Sequence, residues 1–239
     1  MTRKTVPTRD FYIDPSELLF KPDLSLVSIA DEETLYKKLI SNSEAIDTMT
    51  NVLSTDYFKG IINASLDPND YGALAVEDVY YCLKGAADYS AAAAACSDMY
   101  LRNFLKLKEN KYNDYNEIYR TAWHLRDSYG IVPGKSIKNY ANYEAYVSGS
   151  LDPIYTLVVM LPCEYLWWWI AYQLNNIVKA DNLYRFWVDW NYKETPKGAI
   201  QMGEYIERNR SLIDEDLALT IFKTALNHEL EVFINATKK

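Results

Sequence analysis

The chain has 239 residues, of which 49% are hydrophobic, 24% charged and 14% aromatic, a balance that supports a large core and excludes a disordered chain. Its 25 basic and 33 acidic residues leave a net charge of −8, which argues against a nucleic-acid binder, because that function needs a basic face to displace counterions. Only two histidines, His124 and His228, are present, so a three-histidine metal site within the chain is excluded.

Three cysteines, Cys82, Cys96 and Cys163, show no paired spacing, which suits a reducing cytosol better than a disulfide framework and predicts a cytoplasmic protein. Met1 to Asp10 is polar and lacks the apolar stretch of a secretory signal. Glycine and proline are sparse, with none between Ala86 and Tyr129, none between Cys163 and Thr195 and none after Gly203. Such gaps suit helices of several turns, and Asn-Gly and Asp-Gly hairpin turns are absent. The expected fold class is all-α, a single-domain helical bundle.

In chain order, residues 1–30 read as an irregular lead-in with Pro7, Pro15 and Pro22, and residues 31–239 as the helical domain. A first helix is predicted from near Asp31 to Val52, and a shorter one from Asp56 to Asn63. Ser65-Leu-Asp-Pro-Asn-Asp is a start signal for a helix from Asn69 to about Lys84. The next helix spans roughly Ala86 to Lys108, and its run Ala91 to Ala95 permits close helix packing. A Tyr-rich segment, 112–128, precedes a loop from Tyr129 to Lys135. Helices follow at 136–148, 152–179, 181–192, 198–210 and 214–236. The apolar stretch Ile154 to Ile177 contains Pro162, Glu164 and Gln173, so it reads as a buried core helix and not a membrane span.

Three residues could carry chemistry. Cys163 follows Pro162, which should kink the helix and present weakly partnered amides that favour a thiolate; the bland alternative is a buried, inert thiol. Asp78 shares a stripe with Tyr71, Leu74 and Tyr81, so it should be buried, either in a structural ion pair or gripping a polar ligand. Glu229 shares a face with Phe222, Leu226 and Phe233, where apolar surroundings suit a proton donor or acceptor; Glu231 should be solvated. Tyr81, Tyr140 and Tyr143 fall on inner faces. Trp167-Trp168-Trp169 cannot all point one way, since each residue turns by about 100°, so some aromatic area reaches the surface and a homo-oligomer is expected. No Glu-x-x-His pair, phosphate-cradling glycine loop or Gly-x-Ser-x-Gly elbow occurs.

These residues resemble the TenA/THI-4 family, the thiaminase II type of the haem-oxygenase-like fold. Ser65-Leu-Asp-Pro-Asn-Asp-Tyr with Asp78-Val-Tyr-Tyr81 is similar to that family's "GTLP…F…QD-x-x-Y" stretch. Leu161-Pro-Cys163 matches its Leu-Pro-Cys, Trp187-Val-Asp-Trp its "W-(I/V)-x-x-Y" helix, and Phe222 with Glu229 to Ala236 its final helix. The resemblance covers roughly residues 31–236. It implies Cys163 as nucleophile, Asp78 as the group that orients an aminopyrimidine ring, Tyr81 and Tyr140 as its pocket walls, and Glu229 as proton shuttle. Trp167 and Asn191 stand at pocket positions. No metal and no organic cofactor is required, and the implied partner is a small pyrimidine-like ligand.

The departures are specific. Asn191 replaces the family's tyrosine, with Tyr192 one step on; Trp167 and Trp169 replace its Tyr-x-Glu; Glu77 replaces its glutamine. The pocket thus loses polar groups and gains apolar area. The implied function is hydrolysis of a C–N bond at an aminopyrimidine methylene, with the bond broken by a cysteine nucleophile. The alternatives within the fold are a non-catalytic or substrate-shifted protein that binds another small aromatic ligand, or a metal-dependent oxygenase.

Overall fold

Side-chain caps decide where the helices begin. The computed structural model describes residues 11–18, 33–122 and 128–238. Its α-helices are α1 Leu35–Ile40, α2 Ser43–Leu53, α3 Asp56–Ile62, α4 Pro68–Ala95, α5 Met99–Ala122, α6 Lys135–Ser150, α7 Ile154–Leu174, α8 Arg185–Asn191, α9 Lys197–Arg208 and α10 Glu215–Asn235. Among the described residues there is no strand. The all-α helical bundle expected from the sequence is the observed fold class. Thr34, Asn42, Asp67 and Asp214 each accept a hydrogen bond from a backbone N–H in the first turn of α1, α2, α4 and α10.

Several boundaries differ from expectation: among them, α7 ends at Leu174 and not 179, and α8 begins at Arg185 and not 181. The helix predicted from Asp31 to Val52 is two helices, because Ser41 ends α1 and the Asn42 side chain caps α2; Asp31 itself lies outside the described residues. The break expected between Lys84 and Ala86 is absent, and α4 runs on through Gly85. Glycine serves there for close approach, since a Cβ would lie 2.8 Å from Cε1 of Tyr112 on α5. The chain instead turns after Ala95, and the Asp98 carboxylate accepts from the Tyr100 and Leu101 N–H groups to start α5. The Tyr-rich segment belongs to α5 as far as Ala122, while His124 lies outside the described residues.

Helix α7 occupies the core and packs against α6, α8, α9 and α10, while α4 packs against α5 and α6. It is long and apolar enough to cross a membrane, yet 78% of its most apolar window is buried inside the bundle. It is therefore a core helix, as the sequence predicts. The helix continues through Pro162. Cys163 thus sits in mid-helix, directly after the internal proline.

Part of the lead-in is built into this core. Phe11 stacks on Tyr112 at 4.1 Å between ring centroids. The Gln201 side chain binds Ile13 in both directions, accepting from its N–H at 3.0 Å and donating to its carbonyl at 2.9 Å. Lys108 Nζ donates to the Phe11 carbonyl at 3.0 Å.

Candidate active site

The 3.6-residue period carries the expected acids inward. Tyr71, Leu74, Asp78 and Tyr81 are all buried along α4, and Phe222, Leu226, Glu229 and Phe233 along α10, while Glu231 is exposed. On α7, Cys163 is fully buried. Tyr140 on α6 is buried as expected, and Tyr143 is half-buried.

Three of the seven predicted site residues, Asp78, Trp167 and Asn191, line a cavity of about 30 Å³. Tyr57, Tyr71, Tyr115, Trp187 and Trp190 supply most of its remaining wall. Tyr115 Oη donates to Asp78 Oδ2 at 2.8 Å. Asn191 turns its amide back on its own helix and donates to the Trp187 carbonyl at 2.8 Å. The Trp167 ring lies 5.6 Å from that of Trp187 and 5.7 Å from that of Phe233. A space of this size holds water and is too small for a pyrimidine ring.

The other four, Cys163, Glu229, Tyr81 and Tyr140, gather in a sealed cluster beside the cavity. Tyr81 Oη donates to Glu144 Oε1 at 2.7 Å and lies 4.0 Å from Met160 Sδ, one turn before Cys163. The Tyr81 and Tyr140 rings are 5.1 Å apart. Burial holds the Tyr140 hydroxyl well above its ordinary pKa, reinforced by the nearby Glu229, Glu144 and Cys163. Burial does the same to Tyr81, with Cys163 the next contributor. Tyr140 is thus within electrostatic reach of both the thiol and Glu229.

Cavity and cluster are one helical turn apart, about 5 Å, on two helices: Asp78 precedes Tyr81 on α4, and Trp167 follows Cys163 on α7. Phe233, one turn after Glu229 on α10, packs against Trp167.

Sequence reasoning misses three buried charged groups. Glu144 is fully buried, and burial pushes its carboxyl well above the ordinary range, opposed by the Tyr81 hydrogen bond and reinforced by Asp88 and Glu229. Lys108 and Glu164 form a buried ion pair at 2.6 Å, next in sequence to Cys163. Glu144 and Lys108 could be found by the rule that finds Asp78. Ile137, Tyr140, Glu144 and Val147 form one helical stripe, and Leu101, Leu105, Lys108, Tyr112 and Tyr115 another. Among the described residues no group of three or more His, Cys, Asp or Glu could hold a metal ion.

Asp88, near this cluster on α4, provides a test of the electrostatics. Burial raises its carboxyl from the ordinary 3.8 to about 7, with Lys84 pulling the other way. A carboxyl with a higher pKa folded than unfolded takes up protons on folding. Its stabilising contribution is complete below about pH 3.8 and is lost as pH rises through about 7. Asp88→Asn should therefore be more stable than the wild type by about 1–3 kcal/mol near pH 8 and should gain nothing near pH 3.5. Urea denaturation at the two pH values measures the difference, and a gain that is the same at both would refute the assignment.

The arrangement defines an all-helical bundle with a carboxylate-bearing aromatic cavity set one turn from an enclosed thiol. Its architecture is that of the TenA homologues. A TenA homologue from P. horikoshii OT3 superposes with a TM-score of 0.68 at 17% identity, covering 86% of this chain and 99% of that one. A TenA homologue from Pyrococcus furiosus gives 0.70 at 14% identity over 84% and 99% of the two chains. A protein described as a TenA family transcription regulator, from Silicibacter sp. TM1040, gives 0.66 at 13% identity over 94% and 100%. At these identities the likeness carries the fold. No protein-family model and no curated protein matches the chain.

Proposed function

We propose that the protein is a TenA-like hydrolase that cleaves a C–N bond at the methylene of an aminopyrimidine. The observation that supports this reading is the burial of Cys163 and Glu229 on α7 and α10, both within electrostatic reach of Tyr140, one helical turn from the Asp78 cavity. In this reading Asp78 orients the ring, with Tyr81, Tyr140, Trp167 and Asn191 around it. The Cys163 thiolate adds to an electron-poor ring carbon, and the leaving group departs from the methylene with the bonding pair, an amine taking a proton from Glu229 and a thiazole leaving neutral without one. Water then adds at the methylene and gives a proton to Glu229 or the medium, the thiolate is expelled, and the products are an alcohol and the released amine or thiazole. Three buried cysteines without paired spacing suit a reducing cytoplasm, and the exposed Tyr172 and Ile177 suit a homo-oligomer.

Hydrolysis of thiamin and of an aminomethyl-aminopyrimidine by the wild type and by Cys163→Ser tests the mechanism. The serine variant should lose at least about 100-fold in rate. Equal rates would remove the covalent step.

A second reading, binding without turnover, is favoured by the closure of the cavity. Trp167, Trp187 and Trp190 leave about 30 Å³, and Cys163 is not on its wall. A wild-type protein that binds the pyrimidine and never converts it would establish this reading.

A further inference from the structure

Glu144 takes no part in the chemistry proposed above, yet it stands where α4 and α6 meet and is fully buried. Tyr81 Oη donates to its Oε1 at 2.7 Å, a short bond from α4 to α6. Tyr140 lies one turn before Glu144 on α6, and its ring is 5.1 Å from that of Tyr81. Glu144 Oε2 and the Tyr140 hydroxyl are both sealed from solvent, and neither completes a regular hydrogen bond. They interact all the same, since the Tyr81 and Tyr140 hydroxyls both oppose the effect of burial on the Glu144 carboxyl. Burial is the larger influence and favours the neutral acid. A neutral carboxyl has one oxygen that accepts and one O–H that donates. The first serves Tyr81, which leaves the second for Tyr140. Packing alone does not require a carboxyl here, because methionine has nearly the same length and avoids the cost of desolvating an acid.

We propose that Glu144 is a positioning residue, whose carboxyl fixes the hydroxyls of Tyr81 and Tyr140 relative to Cys163 and Glu229. It touches no substrate and passes no proton to one. Its effect runs through the two tyrosines, each of which is within electrostatic reach of Cys163. The role rests on the hydrolase reading, in which Tyr81 and Tyr140 border the ring. Small errors in the placement of such walls are costly to a reaction that depends on orientation.

The test is hydrolysis and calorimetric binding of an aminomethyl-aminopyrimidine by the full chain, as wild type, Glu144→Gln, Glu144→Met and Tyr81→Phe. Glutamine offers an acceptor and a donor in the same places, so Glu144→Gln should keep kcat/KM within about three-fold of the wild type. Glu144→Met and Tyr81→Phe should each lower kcat/KM at least about 10-fold. Their combination should lose no more than the larger single loss, because both remove the same bond. Wild-type kcat/KM in folded Glu144→Met, or a loss of about 10-fold or more in Glu144→Gln, overturns the proposal. Where Glu144→Met fails to fold, the other two variants decide: Tyr81→Phe must show the loss and Glu144→Gln must not. A wild type that binds the pyrimidine without turnover removes the hydrolase alone, and the same pattern is then read in Kd, with Glu144→Met weaker by at least about five-fold and Glu144→Gln unchanged. A wild type that neither converts nor binds it overturns both.

Discussion

Replacing Lys108 by methionine is expected to destabilise the fold by about 3–5 kcal/mol. The ammonium is fully buried, pairs with Glu164 at 2.6 Å and donates to the Phe11 carbonyl at 3.0 Å. Methionine keeps the apolar stem and removes the charge, so Glu164 is left in the core without its counter-charge and Phe11 loses a donor. Desolvating two charges is itself costly, which makes the intact pair a modest net stabiliser and its one-sided removal a large loss. The double variant Lys108→Met/Glu164→Leu should therefore recover most of the deficit. Guanidinium denaturation of wild type, single and double variants measures this. A single variant as stable as the wild type would show that the pair is not closed in solution.

Glu229→Gln is expected to lower turnover of an aminopyrimidine substrate by about 10²–10⁴-fold, the usual range for loss of a general acid. Glutamine keeps the volume and can still hydrogen-bond, so KM should move little. The neighbouring Glu144 carboxyl is also buried, and burial pushes it well above the ordinary carboxylate range, with Glu229 among the smaller causes. A variant with kcat within about two-fold of the wild type would sink the assignment of Glu229 as proton donor, and Glu144→Gln would then identify the alternative acid.

Periodicity made some of the site legible and left the rest implicit. Asp78 and Glu229 stand out because each interrupts an apolar stripe at helical spacing, and both are buried. Glu144 and Lys108 carry the same signal among tyrosines and leucines, where the polar rims of so many aromatic residues obscure it. The division of the predicted residues between cavity and sealed cluster has no local signature. It depends on the depth at which α4, α7 and α10 pass one another, and a shift of one turn would exchange Asp78 for Tyr81 or Cys163 for Trp167. The split of the first predicted helix was local and readable, since Asn42 is a strong capping residue. Gly85 was ambiguous because glycine both ends helices and admits close neighbours, and only the Tyr112 ring shows which applies.

What the sequence alone determined is the class of the fold and the inward faces of its helices. Caps, long gaps without glycine or proline and the 3.6-residue period act over a few residues, and those are encoded locally. The tertiary structure decided which buried groups meet: Lys108 with Glu164, Tyr81 with Glu144 and Tyr140, and the aromatic rings that line the cavity with Asp78. These pairings come from helices far apart in the chain, and their energies depend on exclusion of water, which no single segment can achieve by itself.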